Sequence, residues 1–115
     1  MTFDDYNLTR DAKYLVSVLY KEYLSRRKQG KTKEESGFFL DIRDVQKLIP
    51  HWSIDDATTV CNELKTKELI DCRYGSNRPV YIHLTSDAIS MLENKFKNNM
   101  KTVLGYIKDF KDIFF

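Results

Sequence analysis

Apolar side chains recur at three- and four-residue steps through Ala12, Leu15, Val16, Leu19 and Tyr23, in a stretch from about Thr9 to Gln29 that holds no Gly or Pro. That period predicts a helix with one face on a core. Asn7 or Thr9 is placed to cap its start and Gly30 to end it. The polar, aperiodic run Lys31-Thr32-Lys33-Glu34-Glu35-Ser36-Gly37 then reads as a mobile loop. Phe38-Phe39-Leu40, bounded by Gly37 and Asp41, predicts a brief strand. Asp41 caps a short helix from Ile42 to Ile49 with Ile42, Val45, Leu48 and Ile49 on one side, and Pro50 stops it. Ser53-Ile54-Asp55-Asp56 reads as a capping box with Asp in the place of the usual Glu, and Trp52 stands where a hydrophobic staple would press on Ala57. The helix that follows turns Ile54, Ala57, Val60, Cys61 and Leu64 inward. Asp55, Thr58, Thr59, Asn62, Lys65 and Thr66 face out.

After Leu69 the apolar period changes from 3.6 to 2. Ile70-Asp71-Cys72-Arg73-Tyr74 and Val80-Tyr81-Ile82-His83-Leu84 alternate as half-buried strands do, and Gly75-Ser76-Asn77-Arg78-Pro79 between them supplies hairpin turn residues. Thr85 caps a last helix from about Ser86 toward the terminus, with Gly105 as its weak point. Its seam is Ile89, Leu92, Phe96, Met100, Val103, Ile107, Phe110 and Phe114, in steps of four and three from Phe96 onward, a coiled-coil spacing. A second copy and the chain's own first helix are equal candidates to cover it.

With 115 residues, 42% hydrophobic and 31% charged, the chain suits one globular domain, and no apolar run is long enough to cross a bilayer. The acidic start Met1-Thr2-Phe3-Asp4-Asp5 lacks the features of a secretory signal, so a cytoplasmic location is expected. Cys61 and Cys72 form no metal-type spacing and are expected to be small buried residues in a reducing compartment, while His51 and His83 stand apart from metal partners. No metal or cofactor is expected. The net charge of +2 matters less than its placement. Lys21, Arg26, Arg27, Lys28, Lys31 and Lys33 face only Glu22, whereas acidic residues outnumber basic ones from Asp41 to Cys72. The basic run either opposes the negative pole of the first helix or contacts nucleic acid.

The order helix, short strand, helix, turn, helix, hairpin, helix, with Leu64-Lys65-Thr66-Lys67-Glu68-Leu69-Ile70 and Tyr81-Ile82-His83-Leu84-Thr85-Ser86-Asp87-Ala88, resembles the winged helix-turn-helix superfamily over nearly the whole chain. The MarR-like and PadR-like bacterial regulators are its nearest general types. Tyr106-Ile107-Lys108-Asp109-Phe110-Lys111-Asp112-Ile113 is faintly similar to the small YjcQ-like winged-helix proteins of Gram-positive bacteria and their phages. The resemblance implies an α+β, mainly α fold: a small antiparallel β-sheet with a wing hairpin, between long N- and C-terminal helices. Residues 1–115 form one domain, with 1–37 the N-terminal helix and loop, 38–84 the helix-turn-helix and wing, and 85–115 the C-terminal interface helix. Two departures stand out. Glu68 occupies a position where such families commonly have a left-handed Gly, so it either takes that geometry at a cost of about 1 kcal/mol or ends the helix differently. Asp55 and Asp56 fill the first turn of the recognition helix, where a carboxylate repels a phosphate backbone.

The function this implies is sequence-specific binding of double-stranded DNA by a transcriptional regulator. Thr58, Thr59, Asn62 and Lys65 would face the major groove, and Arg73, Asn77 and Arg78 of the hairpin the backbone or minor groove. The alternative is a protein-interaction module without DNA affinity that uses the aromatic C-terminal helix. A homodimer through Leu92, Phe96, Met100, Val103, Ile107, Phe110 and Phe114 is expected, since a bare apolar strip would need a cover. Catalysis is not expected: the paired carboxylates fall on a helix start and a loop, no His or Cys has a base or nucleophile beside it in a motif, and there is no Gly-rich phosphate loop.

Overall fold

A computed structural model describes residues 2–114, with side chains for residues 2–110. In chain order the elements are α1 (Phe3–Tyr6), α2 (Arg10–Lys28), α3 (Lys33–Ser36), β1 (Phe38–Asp41), α4 (Ile42–Gln46), α5 (Ile54–Thr66), β2 (Ile70–Gly75), β3 (Arg78–Leu84), α6 (Ser86–Phe96) and α7 (Met100–Phe114). The class is α+β, mainly helical, with a three-stranded antiparallel sheet in the order β1-β3-β2. The change of period at Leu69 is therefore a change from helix to strand, as the spacing predicts.

Helix α2 is the axis of the fold. Thr9 caps it, its hydroxyl accepting from the Ala12 amide at 3.2 Å, and Gly30 leaves it with φ of 89°. The period predicts one buried face, yet every residue from Tyr14 to Tyr20 is buried. A helix enclosed on all sides needs neighbours all round, and α2 has them in α3, α5, α6 and α7. The one polar side chain in that run, Ser17, donates its hydroxyl to the Lys13 carbonyl at 2.8 Å.

Two helical turns escape the apolar pattern because capping, not periodicity, makes them. Thr2 and Asp5 form a capping box at the start of α1, and Thr32 and Glu35 form another at α3, inside the stretch expected to be a loop. Helix α4 is shorter than the expected 42–49. After Gln46 the chain tightens into turns in which the Leu48 and Ile49 amides donate to the Val45 and Gln46 carbonyls three residues back. At α5 only half of the expected box forms: the Ser53 hydroxyl accepts from the Asp56 amide at 3.0 Å, and the reciprocal bond is not made. Trp52 lies tilted against Tyr14, ring centres 5.6 Å apart.

Helix α5 ends in paired bonds from the Leu69 amide to the Leu64 carbonyl and from the Glu68 amide to the Lys65 carbonyl. This closure needs a left-handed residue at Glu68, whose φ is 62°. Leu64 and Leu69, which flank the closure, are both fully buried. The expected five-residue turn between the strands is shorter in the structure. Gly75 pairs with Arg78, leaving Ser76 and Asn77 as a two-residue turn with φ of 54° and 65°. Positive φ at both positions is what a hairpin matching the strand twist requires. A bulge opposite Cys72 puts Tyr81 at φ 50°.

The C-terminal helix is corrected in two respects. It breaks well before Gly105: Lys97 and Asn98 are both left-handed, at φ 50° and 56°, and the Asn99 side chain accepts from the Lys101 and Thr102 amides to start α7. Gly105 then sits inside a continuous α7. The seam assigned to a second copy is also covered from within the chain. Leu92, Phe96, Val103, Ile107 and Phe110 are buried and Met100 is half-buried, while the side chain of Phe114 lies outside the described residues. The elbow folds α7 back along α2, and an aromatic cluster fills the seam between them. Phe96 lies 6.4 Å from Phe3, 6.1 Å from Tyr20 and 5.4 Å from Tyr106, and Phe110 lies 6.0 Å from Tyr14. The spacing of the seam is right, and its partner is α2. The ammonium of Lys95 closes the cluster, 4.8 Å above Phe3 and 4.7 Å above Tyr106.

Candidate nucleic-acid interface

Helices α4 and α5 are joined by the turn at Pro50, and α5 buries Ala57, Val60, Cys61 and Leu64 while leaving Asp55, Asp56, Thr59, Asn62 and Thr66 exposed. The exposed row is what a 3.6 period leaves over once one face is committed to the core. Its hydroxyls are partly occupied by the helix itself: Thr59 donates to the Asp55 carbonyl at 3.1 Å and Thr66 to the Asn62 carbonyl at 3.0 Å. Both oxygens still have lone pairs for a donor outside the protein.

The hairpin β2–β3 is anchored to α5 by polar contacts. Tyr74 donates its hydroxyl to Asn62 Oδ1 at 2.7 Å. Lys65 Nζ donates to the Cys72 carbonyl at 2.7 Å, lies 3.7 Å from Asp71 Oδ1 and sits 5.3 Å from the centre of the Tyr74 ring. Arg78 at the foot of the turn reaches Asp55 in the first turn of α5, 3.7 Å between Nη2 and Oδ1. Both of those side chains are well exposed, so water screens the pair and it contributes little to stability.

The expected DNA-contacting residues therefore divide. Thr59, Asn62, Asn77 and Arg78 are exposed on α5 and the hairpin turn tied to it. Lys65 is instead a strut from helix to strand, because its long stem lets the ammonium reach a strand carbonyl. Thr58 is half-buried, its hydroxyl enclosed without a hydrogen-bond partner among the described residues. Arg73 is exposed but belongs to the other face of the sheet. Ile70 and Cys72 point inward, so strand alternation turns Asp71 and Arg73 outward, as the 3.9 Å approach of Asp71 to His83 on the neighbouring strand confirms. Tyr74 is the contributor that sequence reasoning misses. Its parity with Ile70 and Cys72 was the available signal, since the inward side of β2 is the side that α5 covers.

The acidity of the middle segment also acquires a local cause. Glu63 accepts from the Thr9 amide at 2.8 Å and from its hydroxyl at 2.6 Å, tying α5 to the start of α2. Asp41 accepts from the Arg43 amide at 2.9 Å, and Asp44 accepts from the Asp41 amide at 3.2 Å. These carboxylates are spent on helix starts. Cys61 and Cys72 are buried and unpaired, and burial pushes the Cys61 thiol up to about 12, far from a reactive thiolate. Among the described residues no group of His, Cys, Asp and Glu could hold a metal ion, and no helix is long and apolar enough to cross a membrane. Comparison with protein-family models, with curated proteins and with solved structures finds no match to the chain.

Proposed function

We propose that the chain is a winged helix-turn-helix domain that binds double-stranded DNA and regulates transcription, with α5 in the major groove and the β2–β3 hairpin as its wing. The observation that carries this reading is the single polar surface formed by Thr59 and Asn62 on α5 with Asn77 and Arg78 at the hairpin turn, held together by the Tyr74–Asn62 bond. A helix following a tight turn, flanked by a β-ribbon with a cation at its tip, matches the width of the major groove and the position of the adjoining phosphates. Asn62 keeps its amide nitrogen and a carbonyl lone pair for an adenine edge, and Arg78 gives up only a weak, screened partner on reaching a phosphate.

The alternative, a protein-binding module acting through the aromatic C-terminal helix, loses its contact surface to α2 in the folded chain. Fluorescence anisotropy with genomic duplex fragments tests the DNA reading. Affinity falls steeply between 50 and 200 mM salt, and Arg78→Ala reduces the salt slope by roughly one unit. Asn62→Ala costs about 1–3 kcal/mol on a selected fragment and much less on random duplex. Binding that is absent at low salt, or indifferent to both substitutions, would sink the proposal.

A further inference from the structure

The basic run of the sequence meets a second cationic set that its spacing does not reveal. Where α7 folds back along α2, a cleft of about 500 Å³ opens beside the last turns of α2, lined among others by Tyr23, Leu24, Arg27, Lys28, Lys33 and Met100. An adjoining hollow shares Lys28 and Met100 and adds Lys97 and Lys101 from the α6–α7 elbow. Arg27, Lys28, Lys33, Lys97 and Lys101 are all exposed, and among the described residues no ion pair joins any of them to a carboxylate. Glu93 is the carboxylate in the lining.

Neutralising the end of α2 does not account for this concentration of charge. The two arginines of the last turn are turned to other acceptors, Arg26 donating to the Phe38 carbonyl at 2.6 Å and pairing with Glu22 at 3.2 Å, and Arg27 donating to the Lys31 carbonyl at 2.7 Å. Lys97 and Lys101 come from a different part of the chain, and the elbow that presents them requires two successive non-glycine residues at positive φ. That conformation costs on the order of 1 kcal/mol at Lys97 and less at Asn98. Like charges brought together at that cost are relieved by an anion. Asn98 is oriented as well: its Oδ1 accepts from Tyr20 Oη at 2.7 Å, which leaves its amide nitrogen as a donor at the cleft it lines.

We infer that this cleft and the hollow beside it together bind a small organic phosphate, its phosphates on Arg27, Lys28 and Lys33 of the cleft and Lys101 of the hollow, and its organic part on the wall of Tyr23, Leu24 and Met100. The volume lies in the range of roughly 300–1,000 Å³ usual for small-molecule sites. The lining favours a compact ligand over a nucleic-acid backbone, because Glu93 would repel a continuous polyanion while accepting from a ligand hydroxyl or amine. The site is also remote from the α5 surface. Glu63 of α5 grips Thr9 at the start of α2, and the cleft lies along the last turns of that helix, roughly 21–28 Å further along at 1.5 Å per residue. It is thus a ligand site separate from the DNA surface and independent of that reading.

Isothermal titration of the full chain, without DNA, with adenosine triphosphate and with sodium tripolyphosphate at matched ionic strength tests it. The expected result is one saturable site, at least severalfold tighter for the nucleotide than for tripolyphosphate. Lys28→Ala and Lys101→Ala should each weaken it roughly tenfold, the loss of one charge-assisted contact, whereas Lys108→Ala on the same helix leaves it unchanged. All three positions are exposed, and circular dichroism confirms that the variants fold. Heats that vanish against matched sodium chloride, an equal loss in Lys108→Ala, or equal affinity for the two probes would overturn the inference. Displacement of the nucleotide by a short duplex, abolished by Lys28→Ala, would assign the cleft to a nucleic-acid backbone and overturn it too.

Discussion

The two ends of α2 are built by opposite use of charge. At its start, Glu63 accepts both the amide and the hydroxyl of Thr9, and the carboxylates of Asp41 and Asp44 are likewise engaged in beginning a helix. At its end, cations from α2, α3 and the α6–α7 elbow gather around two adjoining hollows, with no carboxylate paired to those that line them among the described residues. At the start of α2 the acid is architecture, and at its end the base is capacity. Charge counts alone do not distinguish the two; the distances do.

The largest expected effect comes from breaking the aromatic seam, which belongs to neither end and holds both. Phe96 is buried against Phe3, Tyr20 and Tyr106, and Phe96→Ala should cost about 3–5 kcal/mol in urea denaturation. A seam shared with a second copy would instead show a mass that falls on substitution. Sedimentation at fixed concentration should give the same mass for Phe96→Ala and the parent chain, and a drop in mass would restore the interface role.

Base should attack the same seam. Burial pushes the Tyr106 phenol up to about 12 and raises Tyr20 further, from an ordinary value of 10.0, and outside the seam, on the buried face of α5, it holds the Cys61 thiol up at about 12 from 9.0. Each group keeps its proton longer folded than unfolded, so this contribution is complete below pH 9. It fades as pH rises from 9 toward 12. Far-ultraviolet circular dichroism should show base unfolding in that window, and the part of the tyrosinate absorbance that Tyr20→Phe and Tyr106→Phe remove should rise in the same transition. If that part precedes the loss of helix, the seam is not enclosed.

Much of the fold is legible in the residues. Apolar spacing changes at Leu69 because helix gives way to strand there, and the closure of α5 demands a left-handed residue at Glu68 whatever its side chain. The elbow was less visible because Lys97-Asn98-Asn99 contains no Gly or Pro. Asn tolerates the left-handed region and caps helices, so the doublet was the available clue. At the candidate site, Asn62, Asn77 and Arg78 follow from helix period and turn position. Lys65 and Arg73 do not, because a side chain's reach and the face of the sheet that α5 covers are settled only by packing.

The start of α2 offers the next test. Glu63→Gln keeps the shape and one carbonyl acceptor for Thr9 but removes the charge, and should cost about 1–2 kcal/mol, in the range of charge-assisted bonds and caps. Lys101→Ala at the opposite end should change stability by no more than about 0.5 kcal/mol, as surface substitutions do. Equal losses from the two would erase the distinction between used and unused charge. Glu68→Gly has the opposite sign, since glycine relieves the positive φ, and should stabilise by roughly 0.5–1 kcal/mol.

The smallest effect is the most discriminating. Asp55 stands in the first turn of α5, where a carboxylate favours the helix by roughly 0.3–1 kcal/mol, and it faces the Arg78 guanidinium across 3.7 Å. Asp55→Asn should therefore lower stability by a few tenths of a kcal/mol, within the range of a helix-dipole contact. The same change frees Arg78 and removes a negative charge from the surface proposed to meet phosphates, so duplex affinity should rise while stability falls. Stability and affinity moving in opposite directions would show that this acid serves the helix at the expense of the ligand. A parallel fall in both would mean that Asp55 positions Arg78 for its contact, and the carboxylate would then belong to the binding surface itself.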